Sequence, residues 1–215
     1  MVIVYYYSNE KIEFEGEILN GKRNGKGKEY DDGKLVFEGE YLYGNKIKGR
    51  AYVKGKLEYE GDYLYNRKWN GKGFDINGNI LYELINGNGY CIYYHWNGEL
   101  EFEGEILNGK RNGKGKLYFD NGELEYEGEL RNWEKNGKGK EYDYEGNLLF
   151  EGEYLNGERW NGNGREYDFD GILLFKGEYL EGKKWNGKVY EHDDNGDLVG
   201  EYLKGKYVKK RKKYK

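Results

Sequence analysis

Apolar and polar residues alternate along most of the chain in short runs. Phe14-Glu15-Gly16-Glu17-Ile18-Leu19 has the period of two that marks a half-buried strand. A turn follows, from Asn20-Gly21 to Asn24-Gly25, and a second strand runs over Gly25-Lys26-Gly27-Lys28-Glu29-Tyr30. Asp31-Asp32-Gly33 then turns into the next copy. Connections this short join antiparallel neighbours, because a parallel pair needs a crossover of about a dozen residues or more. No stretch sustains a 3.6-residue apolar period, so the pattern predicts strands and no helices.

The same pattern recurs almost end to end. An aromatic-Glu-Gly-Glu tetrad, or a close variant, is anchored at Phe14, Phe37, Tyr59, Phe102, Tyr126, Phe150 and Phe175, with degenerate copies at Tyr82 and Leu198. About ten residues after each anchor comes Asn-Gly-Lys-Gly or a variant, as at Asn24, Asn70, Asn112, Asn136 and Asn186. Self-similarity at a fixed period is the mark of a repeat architecture. A trial register pairs Gly16 with Gly27 and Gly27 with Gly39. It sets Lys28 between Glu15 and Glu38, and Lys26 between Glu17 and Glu40; opposed unlike charges of this kind stabilise by about 0.2–1 kcal/mol per pair. The other face then carries Phe14, Phe37, Ile18 and Tyr41 beside glycines, so rings cover backbone in place of a second layer. Glu29 falls between two Phe residues and finds no partner in this register.

These residues resemble the MORN (membrane occupation and recognition nexus) repeat. Phe37-Glu38-Gly39-Glu40-Tyr41-Leu42-Tyr43-Gly44 and Asn112-Gly113-Lys114-Gly115 carry the likeness. The family's His before the second Gly is Asn here, and its Trp is often Tyr, Ile or Leu. The longer units also look like the repeat variant of a family of bacterial antitoxins. The resemblance implies an all-β fold: an elongated, single-layer antiparallel meander, a repeat rod of about eight hairpin units of 22–25 residues. It also implies a non-enzymatic scaffold for a protein partner, attached to a membrane or cytoskeletal surface, or an antitoxin-like module that neutralises a specific protein.

Composition narrows the chemistry. Apolar residues are 36% and charged residues 35% of 215, with 36 Gly, 25 Tyr, no Pro and one Cys. There is no Thr, Ser8 is the sole Ser, and the two His are His95 and His192. A Ser/His/Asp triad would have to use Ser8, a Cys/His pair Cys91, and a four-ligand zinc site has only three Cys and His to draw on. A P-loop would end in Gly-Lys-Ser or Gly-Lys-Thr, and neither occurs. The Glu pairs, such as Glu15 with Glu17, suit a retaining glycosidase in number. They recur in nearly every unit, however, whereas an active site is singular. No catalytic, metal or cofactor site is expected. A single Cys forbids an internal disulfide, the apolar Met1 to Tyr7 lacks the basic n-region and length expected of a signal peptide, and no apolar run approaches membrane length, so a cytoplasmic location is expected.

Departures from the repeat are where binding should reside. Trp69, Trp160 and Trp185 directly precede an Asn-Gly, and Trp133 sits close by. Arg67, Lys68, Arg131, Arg159, Lys183 and Lys184 accompany them. Stacked in a solenoid, these ten residues would form an aromatic and basic rim for a partner. Residues 204–215 carry +8 against a chain total of −4, which leaves −12 on residues 1–203. Lys209, Lys210, Arg211, Lys212 and Lys213 could hold anionic lipid, address the chain to the nucleus or touch nucleic acid. The acidic body argues against nucleic acid anywhere but this tail. Residues 1–9 read as a cap strand or a dimerising edge, so a monomer or an edge-paired homodimer is expected. Residues 10–203 form the array, with a short irregular unit over 74–100 that holds Cys91 and His95 and reads as a junction between two halves.

Overall fold

The computed structural model describes residues 2–6, 11–190 and 198–210, with backbone only for 2–6 and 198. Among the described residues every regular element is a strand. The first sheet holds eight in chain order: β1 (Val2–Tyr6), β2 (Ile12–Leu19), β3 (Lys22–Asp31), β4 (Lys34–Leu42), β5 (Asn45–Val53), β6 (Lys56–Leu64), β7 (Arg67–Phe74) and β8 (Ile80–Leu84). The second holds eleven: β9 (Gly89–Tyr94), β10 (Leu100–Leu107), β11 (Lys110–Tyr118), β12 (Leu124–Arg131), β13 (Glu134–Tyr142), β14 (Leu148–Leu155), β15 (Glu158–Tyr167), β16 (Leu173–Leu180), β17 (Lys183–Tyr190), β18 (Leu198–Leu203) and β19 (Lys206–Lys209). Each sheet is an open antiparallel meander. Two compact units divide the chain, Met1–Arg111 and Asn112–Lys215.

The register follows the glycines. Gly16 faces Gly27, Gly27 faces Gly39, and Lys28 lies between Glu15 and Glu38, as the trial register predicts. In the second unit Gly128 faces Gly139 and Gly139 faces Gly152. The reason is steric. A Cβ at Gly39 would lie 2.2 Å from the Lys48 carbonyl oxygen and 2.7 Å from Gly49 Cα. Only paired glycines let the strands meet there with an aromatic ring on top.

The rings form the core. Phe14, Phe37, Tyr59, Phe102, Tyr126, Phe150 and Phe175 are buried. In the first unit Tyr41 stands edge-on between Phe14 and Phe37, with both centroid distances 5.5 Å, and Tyr63 stands between Phe37 and Tyr59 at 5.4 Å. The second unit repeats the ladder through Tyr126, Tyr154, Phe150, Tyr179 and Phe175. Edge-to-face pairs add about 0.5–1.5 kcal/mol each beyond burial.

A cation caps each anchor ring: Arg23 at 4.5 Å from Phe14, Lys46 at 4.3 Å from Phe37, Lys135 at 5.2 Å from Tyr126. Here Glu29 finds its role, since it pairs with Arg23 and, at 2.7 Å, with Lys46. A β-bulge between Gly16 and Ile18 brings Arg23 opposite Ile18 and so over the ring. The opposite face of the first sheet is a trough of about 600 Å³, floored by glycines and walled by alternating Glu and Lys or Arg. There Arg50 pairs with Glu60 at 3.0 Å, so these carboxylates are structural partners of the basic rows.

The short unit ends one sheet and begins the next. After β8 the bridge between Ile85 and Asn88 closes a tight turn, and the β9–β10 hairpin reaches back onto the first sheet. Lys54 pairs with Glu99 at 2.8 Å, and Lys68 donates to the Ile92 carbonyl at 3.2 Å.

Candidate functional site

The chain's two kinds of connection lie on opposite sides of the sheets. On one side are tight turns such as Asn20-Gly21, Asn108-Gly109 and Asn156-Gly157, whose residues all have positive φ. This is the backbone that a two-residue hairpin needs and that Asn and Gly adopt with least strain. On the other side, from the short unit onward, are five-residue loops such as 143–147. There Asp143 Oδ1 accepts from the backbone of Glu145 at 3.0 Å and of Asn147 at 2.8 Å.

Strand alternation divides the ten predicted rim residues between two faces. Lys68, Arg159 and Lys184 point to the aromatic face. Lys68 is buried, 5.2 Å from the Tyr59 centroid, and its Nζ reaches Glu58 at 2.5 Å and Tyr82 Oη at 3.0 Å. Arg159 lies over Phe150 and pairs with Glu141 at 2.7 Å; Lys184 lies over Phe175 and pairs with Glu166 at 2.6 Å. These cations belong to the capping row because their neighbours across the strand pair are Tyr63, Tyr154 and Tyr179.

The tryptophans pack on glycine. A Cβ at Gly87 would come within 2.6 Å of the Trp69 ring, one at Gly182 within 3.5 Å of Trp160, and one at Gly205 within 3.2 Å of Trp185. The three glycine N–H groups donate to the same Trp carbonyls at 2.8–3.0 Å. Each ring therefore rests on the next turn and stays part-exposed. Trp133 differs in kind. It occupies the second turn position, where most of the other hairpins use Gly and the Tyr65 turn uses Asn66, with φ of +80° and 38% exposure. Arg67, Arg131 and Lys183 are exposed on the tight-turn side. Lys209 and Lys210 are exposed at the end of β19, while Arg211, Lys212 and Lys213 lie outside the described residues.

Two tyrosines escape the sequence reading. Tyr43 and Tyr65 hold the first position of consecutive tight turns with φ of +49°, and they are 62% and 76% exposed. The turns are stitched together: Asn66 Nδ2 donates to Asn45 Oδ1 at 3.1 Å, and Asn66 Oδ1 accepts from Lys46 N at 2.7 Å. The missed signal was Tyr in the place of Asn before Gly44 and Asn66. Across residues 20–28, 42–50, 64–73, 85–92 and 107–111 there is no Asp or Glu. The corresponding stretches of the second unit hold Glu134, Glu158 and Glu181.

The irregular unit contributes structure. Cys91 is fully buried, and burial pushes its thiol pKa up. Tyr82 donates to Glu58 at 2.8 Å, and burial, then Cys91 and Glu58, raise its pKa well above the phenolic range. His95 closes a loop through its backbone, donating to Glu99 O at 2.8 Å. No group of three His, Cys, Asp or Glu among the described residues could hold a metal ion.

The repeat geometry can now be set against known families. The MORN repeat model matches residues 14–34, 102–123 and 126–148. The chain carries MORN repeats. MORN repeats are a non-enzymatic repeat type, associated with protein and membrane interaction. No curated protein matches the chain. Beyond the three matched segments, the paired glycines and capping cation recur at Gly39 with Gly49 and at Gly152 with Gly162. The same paired-glycine and capping geometry is thus shared by units outside the matched segments. No helix among the described residues is long and apolar enough to cross a membrane.

Proposed function

We propose that the chain is a non-catalytic scaffold that binds a protein partner along the tight-turn side of its first unit and is held at an anionic surface by its basic tail. The observation that carries this reading is Tyr43 and Tyr65. A side chain in the left-handed region costs about 1–2 kcal/mol, and these two rings stay mostly in water, so folding gains little from them. Strained residues persist where function uses them, and Tyr, Trp and Arg are the side chains that dominate binding hot spots. The surrounding turns lack acids, so an acidic partner surface meets no like-charge repulsion.

The test has two arms. In affinity capture, Tyr43→Asn with Tyr65→Asn should lose the partner that the parent chain retains, while the fold is kept. In flotation with anionic and with neutral vesicles at near-physiological salt, the parent should float with anionic vesicles alone. Replacing Lys209, Lys210, Arg211, Lys212 and Lys213 by Gln should abolish that. Equal capture by the tyrosine variant would remove the turn side from the function. No flotation with either vesicle would remove the membrane.

A further inference from the structure

The loop side of the second unit has the opposite chemistry. Loops 119–123, 143–147 and 168–172 contain Asp120, Glu123, Asp143, Glu145, Asp168 and Asp170, and no Lys or Arg. Each loop also carries an aromatic residue at or next to its start. Phe119 and Tyr144 pack at 5.1 Å between centroids, and Tyr144 Oη donates to Asp120 at 2.6 Å, which fixes the Tyr144 ring while leaving it 52% exposed. Phe169, between Asp168 and Asp170, is fully exposed at 104%. A cleft of about 820 Å³ opens between the last two loops, with Tyr144, Tyr167 and Phe169 in its lining.

We infer that this surface is a docking site for a lysine- and arginine-rich segment of a protein partner. Charge selects the class. The cleft lining holds five carboxylates (Asp143, Glu145, Glu166, Asp168, Asp170) against the guanidiniums of Arg159 and Arg165, a net of −3. Of these, Arg159 is held by Glu141 at 2.7 Å and Glu166 by Lys184 at 2.6 Å, so the acids at the loop tips set the sign of the surface. The exposed rings add what carboxylates alone lack. An aromatic face attracts a cation within about 6 Å of its centroid, and it covers the aliphatic stem of Lys or Arg.

Size selects a polypeptide over a small cation. Successive loops are two strands apart, about 10 Å at the usual strand spacing. The three loops therefore present acid and ring over about 20 Å, the reach of roughly six extended residues. This site lies on the side opposite the tight turns and makes no use of Tyr43 or Tyr65, so it stands or falls independently of the proposed scaffold function.

The test is fluorescence anisotropy of a labelled six-residue Arg/Lys peptide with the full chain at low and near-physiological salt. The tail-neutral chain, with Lys209, Lys210, Arg211, Lys212 and Lys213 changed to Gln, is run alongside so that the chain's own basic end cannot hide the site. We expect saturable binding that weakens with salt. Tyr144→Ser with Phe169→Ser keeps every carboxylate and should weaken it at least tenfold. Glu145→Gln with Asp170→Asn should do the same, and Glu134→Gln with Glu158→Gln, on the tight-turn side, should leave it unchanged. Equal loss in that last pair would mean attraction to an acidic body and would overturn the site, as would full binding by the Ser variant. Absence of binding by both chains would overturn it too. So would a self-association that the Ser variant abolishes while no peptide binds, since a second copy would then be the occupant.

Discussion

Removing the Lys68 ammonium should be the most damaging single change in the first unit. Lys68 and Glu58 are 7% and 6% exposed, and the ammonium is held by Glu58 at 2.5 Å, Tyr82 Oη at 3.0 Å and Ile92 O at 3.2 Å. Lys68→Met keeps the bulk of the stem but takes the counter-charge from the buried Glu58 carboxylate and leaves it accepting from the Tyr82 hydroxyl at 2.8 Å. Leaving one member of a buried ion pair uncompensated costs about 3–5 kcal/mol, a large share of the roughly 5–15 kcal/mol that holds a domain folded. Adding Glu58→Gln removes the stranded charge and keeps an acceptor for Tyr82, so the double variant should regain at least half of the loss. Urea unfolding by circular dichroism gives the two differences, and hydrogen exchange locates them. Protection should fall in residues 56–94 and hold in the second unit, because repeats couple mainly to their neighbours. A cost below about 1 kcal/mol for Lys68→Met, or no recovery in the double variant, would refute the idea that this pair clamps the junction between the sheets.

Glycine substitutions should separate close approach from backbone conformation. Gly39→Ala, which meets Lys48 O at 2.2 Å, should cost about 1–3 kcal/mol or more by overpacking. Gly44→Ala, at φ of +91° with open space around it, should cost about 1–2 kcal/mol; the two urea midpoints decide. Tyr43→Asn with Tyr65→Asn should raise the unfolding free energy by about 0.5–1 kcal/mol per site, and the midpoint with it, since Asn tolerates the left-handed region better. A fall would mean that the rings pack for stability. Acid should weaken the second unit. Burial favours the neutral form of Glu141, but Lys135 and Arg159 outweigh it and lower the pKa; at Glu166, Lys184 and Tyr179 outweigh burial in the same direction. A pKa depressed by folding gives stability that is present above the unfolded value, about 4.3, and is lost as pH falls through the folded value. Glu141→Gln with Glu166→Gln should flatten that part of a stability–pH profile; an unchanged slope would refute it.

The strand pattern and glycine register were legible because both depend on local period and on one steric fact, that only glycine fits between a ring and a facing strand. The partner of Glu29 was not. It depends on a bulge that brings Arg23 over Phe14, and a bulge is a property of two strands together. The rim was read from adjacency in sequence. Lys68 and Trp69 are neighbours in the chain, yet the pleat sends one to the aromatic core and lays the other on Gly87. Trp133 was grouped with the other tryptophans by spacing, whereas its backbone shows it to be a replaced turn glycine. Asp31-Asp32-Gly33 reads as a turn in the sequence, but the acidic aromatic loops that take its place in later copies escaped that reading. Their convergence on one side follows from the count of strands between them.

The asparagine stitches make the two sides of the sheets unequal as sites for change. Asn24, Asn70, Asn88, Asn161 and Asn186 each accept from the backbone of the following tight turn at 2.7–3.2 Å. An insertion in one such turn would therefore misplace an acceptor or donor belonging to its neighbour. On the other side the described connections run from Asp32-Gly33 to five residues, as at 168–172, where Asp168 Oδ1 closes the loop by accepting from the backbone of Asp170 and Ile172. Side chains join loops 119–123 and 143–147 there, with Asn121 Nδ2 donating to Tyr144 O at 3.0 Å and Tyr144 Oη to Asp120 at 2.6 Å. Loop 168–172, closed by Asp168, is thus the place to graft a new sequence, while a graft at 119–123 or 143–147 has to carry its neighbour's contacts with it.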